Sequence, residues 1–145
     1  MDLFQLLFGI SGRINRAKFW LAVVINSVPV LIVSGILFSL FSAGLGALFF
    51  IIVIVFIPWL ISGIAISIKR LHDRDKSGWW LLVFYVLPAV LNHIAEPAGT
   101  ALQFIFELAS LALSIWGFVE LGCLRGTAGP NKYGSNPLAG QMAGI

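Results

Sequence analysis

Residues 19–41, 47–68, 79–94 and 101–124 hold only two charged side chains between them, Glu107 and Glu120, and this constrains the chain more than anything else in it. The first, second and fourth runs have about 22–24 residues each. At ~1.5 Å per helical residue, that crosses a hydrocarbon core of ~30 Å. The third has about 16 residues and reaches only ~24 Å, so it needs flanking residues or local thinning of the bilayer. Pro29 and Pro58 lie inside the first two runs, where membrane helices tolerate kinks. Only 10% of the 145 residues are charged and 59% are hydrophobic. Soluble domains carry about a quarter charged residues, so most of this surface must face something other than water.

These runs predict an all-α, polytopic membrane protein: one membrane domain over residues 1–145, with four transmembrane helices and a structured cytoplasmic face. A short turn is expected at 42–46 and a break at Glu96-Pro97-Ala98-Gly99. The first run is too long for the apolar core of a cleaved signal peptide, which spans about 7–15 residues, and reads as a signal-anchor. Residues 1–18 place Leu3, Phe4, Leu6, Leu7, Phe8 and Ile10 beside Arg13, Arg16 and Lys18. That pattern suits a segment lying in the membrane interface, with a frayed terminus as the alternative. Residues 125–145 form the tail.

All nine basic residues fall into three segments: Arg13, Arg16 and Lys18 before the first run, Lys69, Arg70, Arg74 and Lys76 after the second, and Arg125 and Lys132 after the fourth. Basic residues concentrate in cytoplasmic loops, so the three segments belong on that side, and both termini with them. Four crossings satisfy this arrangement; three would strand Arg125 and Lys132 outside. Trp79-Trp80 then sits at the cytoplasmic interface as part of an aromatic belt. A net charge of +3 distributed in this way points to anionic lipid headgroups as partners and not to nucleic acid. Cys123 is alone, which excludes a disulfide framework and a zinc-type cluster.

The polar segments are better defined than linkers need to be. They read Gly12-Arg13-Ile14-Asn15-Arg16-Ala17-Lys18-Phe19-Trp20, then Lys69-Arg70-Leu71-His72-Asp73-Arg74-Asp75-Lys76-Ser77-Gly78-Trp79-Trp80, then Gly126-Thr127-Ala128-Gly129-Pro130-Asn131-Lys132-Tyr133-Gly134-Ser135-Asn136-Pro137. Together they resemble the domain-of-unknown-function 805 family of small bacterial inner-membrane proteins, over nearly the whole chain. The middle motif is the most specific; the tail departs from the family at Asn136, where Asp is common. The resemblance implies an integral place in the bacterial inner membrane and no established activity.

Read from the residues themselves, Arg13, Arg16, Arg70, His72, Asp73, Asn131 and Tyr133 form a candidate cytoplasmic cluster. Asp73 and Asp75 lie within reach of Arg74, Lys76, Arg13 or Arg16, and Ser77-Gly78 can cap the third helix. One reading is a self-satisfied cluster that fixes helix ends; the other is a phosphate-sized anion site made by Arg13, Arg16, Arg70 and loop amides. His72-Asp73 has no nucleophile at a recognisable spacing, and His93 falls on the opposite side of the membrane. No catalytic set, cofactor or metal site is expected.

In the fourth run, Gln103, Glu107, Ser110, Ser114 and Gly117 fall within a sector about 80° wide on a helix. A carboxylate in mid-bilayer costs roughly 2.5–3.5 kcal/mol, so Glu107 is expected to turn inward, with Asn26, Ser27, Ser34 and Ser62 as candidate partners. Its two readings are a packing hydrogen bond and a protonatable group on an ion path. Glu120, nearer the cytoplasmic end, is expected to pair with Arg125 or Arg70. Three functions follow. The favoured one is a non-enzymatic scaffold or regulator acting through the cytoplasmic motifs. The alternatives are a small transporter or channel component built as a homo-oligomer around Glu107, and a headgroup-level enzyme using His72 and Asp73.

Overall fold

The computed structural model describes residues 2–42, 49–96 and 99–139. Of the turn expected at 42–46, Ser42 is helical and the rest lies outside these residues, as do the expected start of the second helix at Ala47-Leu48 and Pro97-Ala98 of the expected break. The elements run α1 (Leu3–Phe8), α2 (Arg16–Ser42), α3 (Phe49–Asp73), α4 (Leu87–Ala95) and α5 (Thr100–Phe118). A π-helical turn, Leu82–Val86, leads into α4, and another, Val119–Cys123, continues α5. Among the described residues all regular structure is helical, apart from an isolated bridge between Asn131 and Gly134. Arg16–Ser42, Ile54–Asp73 and Thr100–Cys123 are long and apolar enough to cross a membrane; Leu82–Ala95 is a shorter apolar helix.

The chain divides into two compact units. The first comprises residues 1–10 and 17–66. Here Asp2 caps α1, its Oδ1 accepting from Gln5 N at 2.7 Å, and Leu3 and Phe4 project as exposed apolar side chains. Asn26 on α2 donates to the Trp59 carbonyl of α3 at 3.3 Å, so this amide inside an apolar helix is engaged. Ser34, Ser39 and Ser42 donate back to the carbonyls of Val30, Gly35 and Phe38, which satisfies hydroxyls on a helix with few polar neighbours. Ser62 is buried, and its hydroxyl has no hydrogen-bond partner among the described residues.

The second unit comprises residues 11–16 and 67–145. In it α4 packs along α5. Gly117 permits the close approach: a Cβ there would lie 2.9 Å from Phe84 Cβ. Pro88 has no N–H to offer the preceding turn, and the helix is π-wound just before it, with Leu87 N–H reaching back to Leu82 O. The Pro88 carbonyl accepts from Ser110 Oγ of α5 at 3.1 Å in a buried contact. Ser110→Ala removes that donor and is expected to cost about 1 kcal/mol. A thermal-stability midpoint in mild detergent measures it, and an unchanged midpoint would mean the bond contributes nothing.

The α3 helix continues to Asp73, past the expected end at Ile68, and α2 begins at Arg16. Arg70 and His72 thus lie in the last helical turn, with Lys69 just before it, and the Arg70 charge complements the helix dipole. They do not lie in a loop.

Candidate functional site

The centre of the polar cluster is Asp73, the last residue of α3, 3% exposed. Its Oδ1 accepts from Arg13 Nε at 3.2 Å and Nη2 at 3.1 Å; its Oδ2 accepts from Arg70 Nη1 at 2.5 Å. Both arginines are buried. Arg13 reaches this position because Gly12, at φ +86°, turns the chain just ahead of it. Ile14 N–H then donates to the Lys69 carbonyl at 3.4 Å. The remaining Arg13 donors go to tail carbonyls: Nη1 to Gly129 at 2.8 Å and Gly134 at 3.2 Å, and Nη2 to Thr127 at 2.8 Å. All five guanidinium N–H groups are therefore matched to acceptors.

The tail is held by its backbone as well. Thr127 N–H donates to the Asp73 carbonyl at 2.8 Å, and Asn131 Nδ2 donates to the His72 carbonyl at 2.9 Å. Asn131 Oδ1 accepts from Tyr133 N–H at 2.9 Å, closing the turn that carries Tyr133. The Tyr133 ring stacks on His72, with centroids 3.8 Å apart and planes within 6°. His72 Nδ1–H donates to the Gly12 carbonyl at 3.2 Å, so one imidazole joins the entry segment, α3 and the tail.

A second set of bonds closes the end of α5. Helix C-termini leave carbonyls without intrahelical donors, and such groups are costly near a membrane. Three arginines reach them. Arg70 donates through Nε to Leu121 O at 2.7 Å and through Nη2 to Leu124 O. Arg16 Nη1 donates to Cys123 O at 2.8 Å, and Arg74 Nη1 donates to Arg125 O at 2.5 Å. Close by, Glu120 is 3% exposed and sits between Arg74 Nε at 2.9 Å and Lys76 Nζ at 3.2 Å. The Lys76 ammonium also lies 4.6 Å from the centroid of Trp80, whose ring meets that of Trp116 edge-on at 5.5 Å.

The structure thus brings Arg13, Arg16, Arg70, His72, Asp73, Asn131 and Tyr133 together in one unit. Two expected pairings change. Asp73 binds Arg13 and Arg70, while Arg74 and Lys76 go to Glu120, which was expected to meet Arg125 or Arg70. The π turn at Val119–Cys123 explains the exchange: it re-aims Glu120 and presents carbonyls that take up Arg70. Gly126, Thr127 and Lys76 stand in the quoted motifs but not among the expected cluster residues, and Trp116 lies outside the motifs; all four belong to the assembly. Their signal was weak, a Gly-Thr pair directly after the last run and a lysine four residues before a tryptophan. Among the described residues, no group of three or more His, Cys, Asp or Glu side chains is placed to hold a metal ion.

The polar stripe on α5 divides. Ser110 and Gly117 are buried, with α4 packed against them. Glu107 does not turn inward: it is exposed, and its Oε1 accepts from Gln103 Nε2 of its own helix at 2.8 Å. At 100° per residue, Glu107 lies at the edge of the stripe farthest from Gly117, which is why α4 leaves it uncovered. Ser114, also exposed, donates to Ser110 O at 2.9 Å.

Apolar helices of membrane length joined to a closed polar knot define a small integral membrane protein. The chain belongs to the family described as "Protein of unknown function (DUF805)", whose model matches residues 7–135. "Inner membrane protein YhaI" of Escherichia coli (strain K12) is 31% identical over 134 residues, covering 91% of this chain and 88% of that protein. "Inner membrane protein YhaH" of the same strain is 28% identical over 134 residues, covering 89% and 87%. "Uncharacterized protein YiiR" is 30% identical over 141 residues, covering 94% and 90%. No solved structure matches the chain. YhaI and YhaH are both named as inner membrane proteins, a location that agrees with the apolar helices of the described residues.

Proposed function

We propose that this protein is a non-enzymatic scaffold or regulator of the inner membrane that presents the arginine–aspartate knot to a partner on the cytoplasmic side. The proposal includes four crossings, with Leu82–Ala95 as the short one, and both termini in the cytoplasm. The observation that carries it is the closure of the knot. Arg13, Arg70 and Asp73 are buried and matched to one another, with Arg13 also bound to tail carbonyls and Arg70 to carbonyls after α5, as in a rigid platform and unlike a site awaiting substrate. Around it Arg16, Arg125 and Lys132 are exposed cations suited to anionic lipid headgroups and not to nucleic acid.

The test places a photo-crosslinking residue at Lys132 in native membranes. A discrete protein adduct is expected in the otherwise unaltered chain. It should be lost when Arg13→Ala loosens the platform, with membrane insertion retained. An adduct that survives Arg13→Ala, or capture of lipid alone, overturns the scaffold reading. A reporter fused after Ile145 that is active only in the periplasm overturns the topology. Glu107→Gln is expected to leave the adduct intact; loss of a solute flux in that variant would favour a channel component instead.

A further inference from the structure

The two π turns of the second unit deliver side chains to one place. Leu82–Val86 brings Phe84 there, and Val119–Cys123 brings Glu120. Single π turns inside helices recur at functional sites, where the extra residue re-aims a side chain. Between them stands an aromatic box. Trp80 and Trp116 meet edge-on with centroids 5.5 Å apart, and Phe84 meets Trp116 edge-on at 5.3 Å. The buried Glu120 carboxylate completes it. The box holds an ammonium, Lys76 Nζ, which lies 4.6 Å from the Trp80 centroid, 5.7 Å from that of Trp116 and 3.2 Å from Glu120 Oε1. Aromatic faces and a carboxylate around one cation are a chemistry by which proteins recognise amines. Lys76 and Trp80 both belong to the middle motif, and the arginine–aspartate knot uses neither.

We propose that this box is a site for the primary ammonium of an ethanolamine phospholipid, with Lys76 as a tethered occupant that the headgroup displaces. The ligand class follows from what the box already holds, an alkylammonium between two indoles and a carboxylate. Lys76 is replaceable for two reasons. Its side chain is a quarter exposed, so its ammonium has a path to water. When it leaves, Glu120 keeps Arg74 Nε at 2.9 Å, and no buried carboxylate is stranded. A lipid is the source because of where the box lies, and this step rests on the crossing of Thr100–Cys123 proposed above. Trp116 and Glu120 stand towards the end of that span, at headgroup level. Trp79, next to Trp80 in the chain, is 76% exposed, as a tryptophan at a membrane interface is. The headgroup phosphate, an ethylene link from its ammonium, would meet Arg74, whose guanidinium borders the carboxylate and is itself a quarter exposed.

Native mass spectrometry of the purified full-length chain in mild detergent tests the site. The probes are phosphatidylethanolamine, its N-acetylated analogue, which lacks the ammonium, and phosphatidylglycerol. Lys76→Ala removes the tethered competitor and is expected to retain phosphatidylethanolamine about tenfold better than the unaltered chain, on the order of one cation–π contact. Retention of the other two lipids should not rise. A selective gain of this kind does not arise from misfolding. Adding Trp80→Phe, which keeps a ring with a weaker face, should take back part of the gain, and Trp80→Leu all of it. No gain in Lys76→Ala, an equal gain for the N-acetylated lipid, or a gain indifferent to Trp80 overturns the proposal. Displacement of the lipid by an equal amount of free phosphoethanolamine would assign the site to a soluble amine and overturn the lipid as occupant. No partner protein is present in this experiment, so its outcome is separate from that of the scaffold reading.

Discussion

Replacing Asp73 with alanine is expected to unfasten the entry segment, the end of α3 and the tail together. The carboxylate is the shared partner of two buried arginines, and its loss strands both charges. Breaking a buried ion pair from one side typically destabilises by about 3–5 kcal/mol. Here the Arg13 contacts to the carbonyls of Thr127, Gly129 and Gly134 persist only while the tail stays docked, so the low end of that range is a floor. Limited proteolysis of membrane vesicles should cut the tail near Gly129 in Asp73→Ala and spare it in the unaltered protein; equal protection would refute the central role of this residue. Glu120→Gln serves as a comparison. It also removes a buried carboxylate, but Arg74 and Lys76 are each a quarter exposed and can turn to water, so the effect should be smaller.

Gly126→Ala is expected to be comparably damaging for a steric reason. A methyl group there would lie 2.5 Å from Asp73 Cγ, inside the carboxylate that the arginines hold. The carboxylate has no room to yield, because its two oxygens are fixed from opposite sides. The expected result is the same tail cleavage with the same loss of thermal stability. The two substitutions should not add: once Asp73 is alanine the obstacle is gone, and Gly126→Ala becomes nearly silent in that background. Simple addition of the two effects would show that the glycine acts through something other than this contact.

The helices were legible because length and apolarity are local properties. A run without charge from 19 to 41 and an apolar one from 101 to 124, charged only at Glu107 and Glu120, predict Arg16–Ser42 and Thr100–Cys123 within a few residues. The end of α3 was misjudged because charged residues look like a loop, whereas Lys69, Arg70 and His72 are compatible with the end of a helix. That Arg13, Arg70, His72, Asp73, Asn131 and Tyr133 belong together was also readable from their motifs. Which acid takes which base was not. Arg13 and Asp73 are 60 residues apart, Arg74 and Glu120 are 46 apart, and each choice depends on the π turn after Val119 and on carbonyls that no side-chain pattern reveals. Glu107 shows the same limit: its membership of a stripe follows from spacing, its exposure from where α4 happens to lie.

Three arginines from two distant stretches of chain finish the last turn of α5, and the residues after it then lock the first of those stretches. The order of synthesis gives this arrangement a meaning. Until the ribosome has delivered the segment from Gly126 to Gly134, Arg13 lacks its carbonyl acceptors and the Asp73 carbonyl lacks Thr127. A product that stops short of this segment, however well its greasy segments have inserted, therefore leaves the Arg13 guanidinium without its carbonyl partners. The segment from Gly126 to Gly134 is thus the seal on charges that the earlier residues leave open.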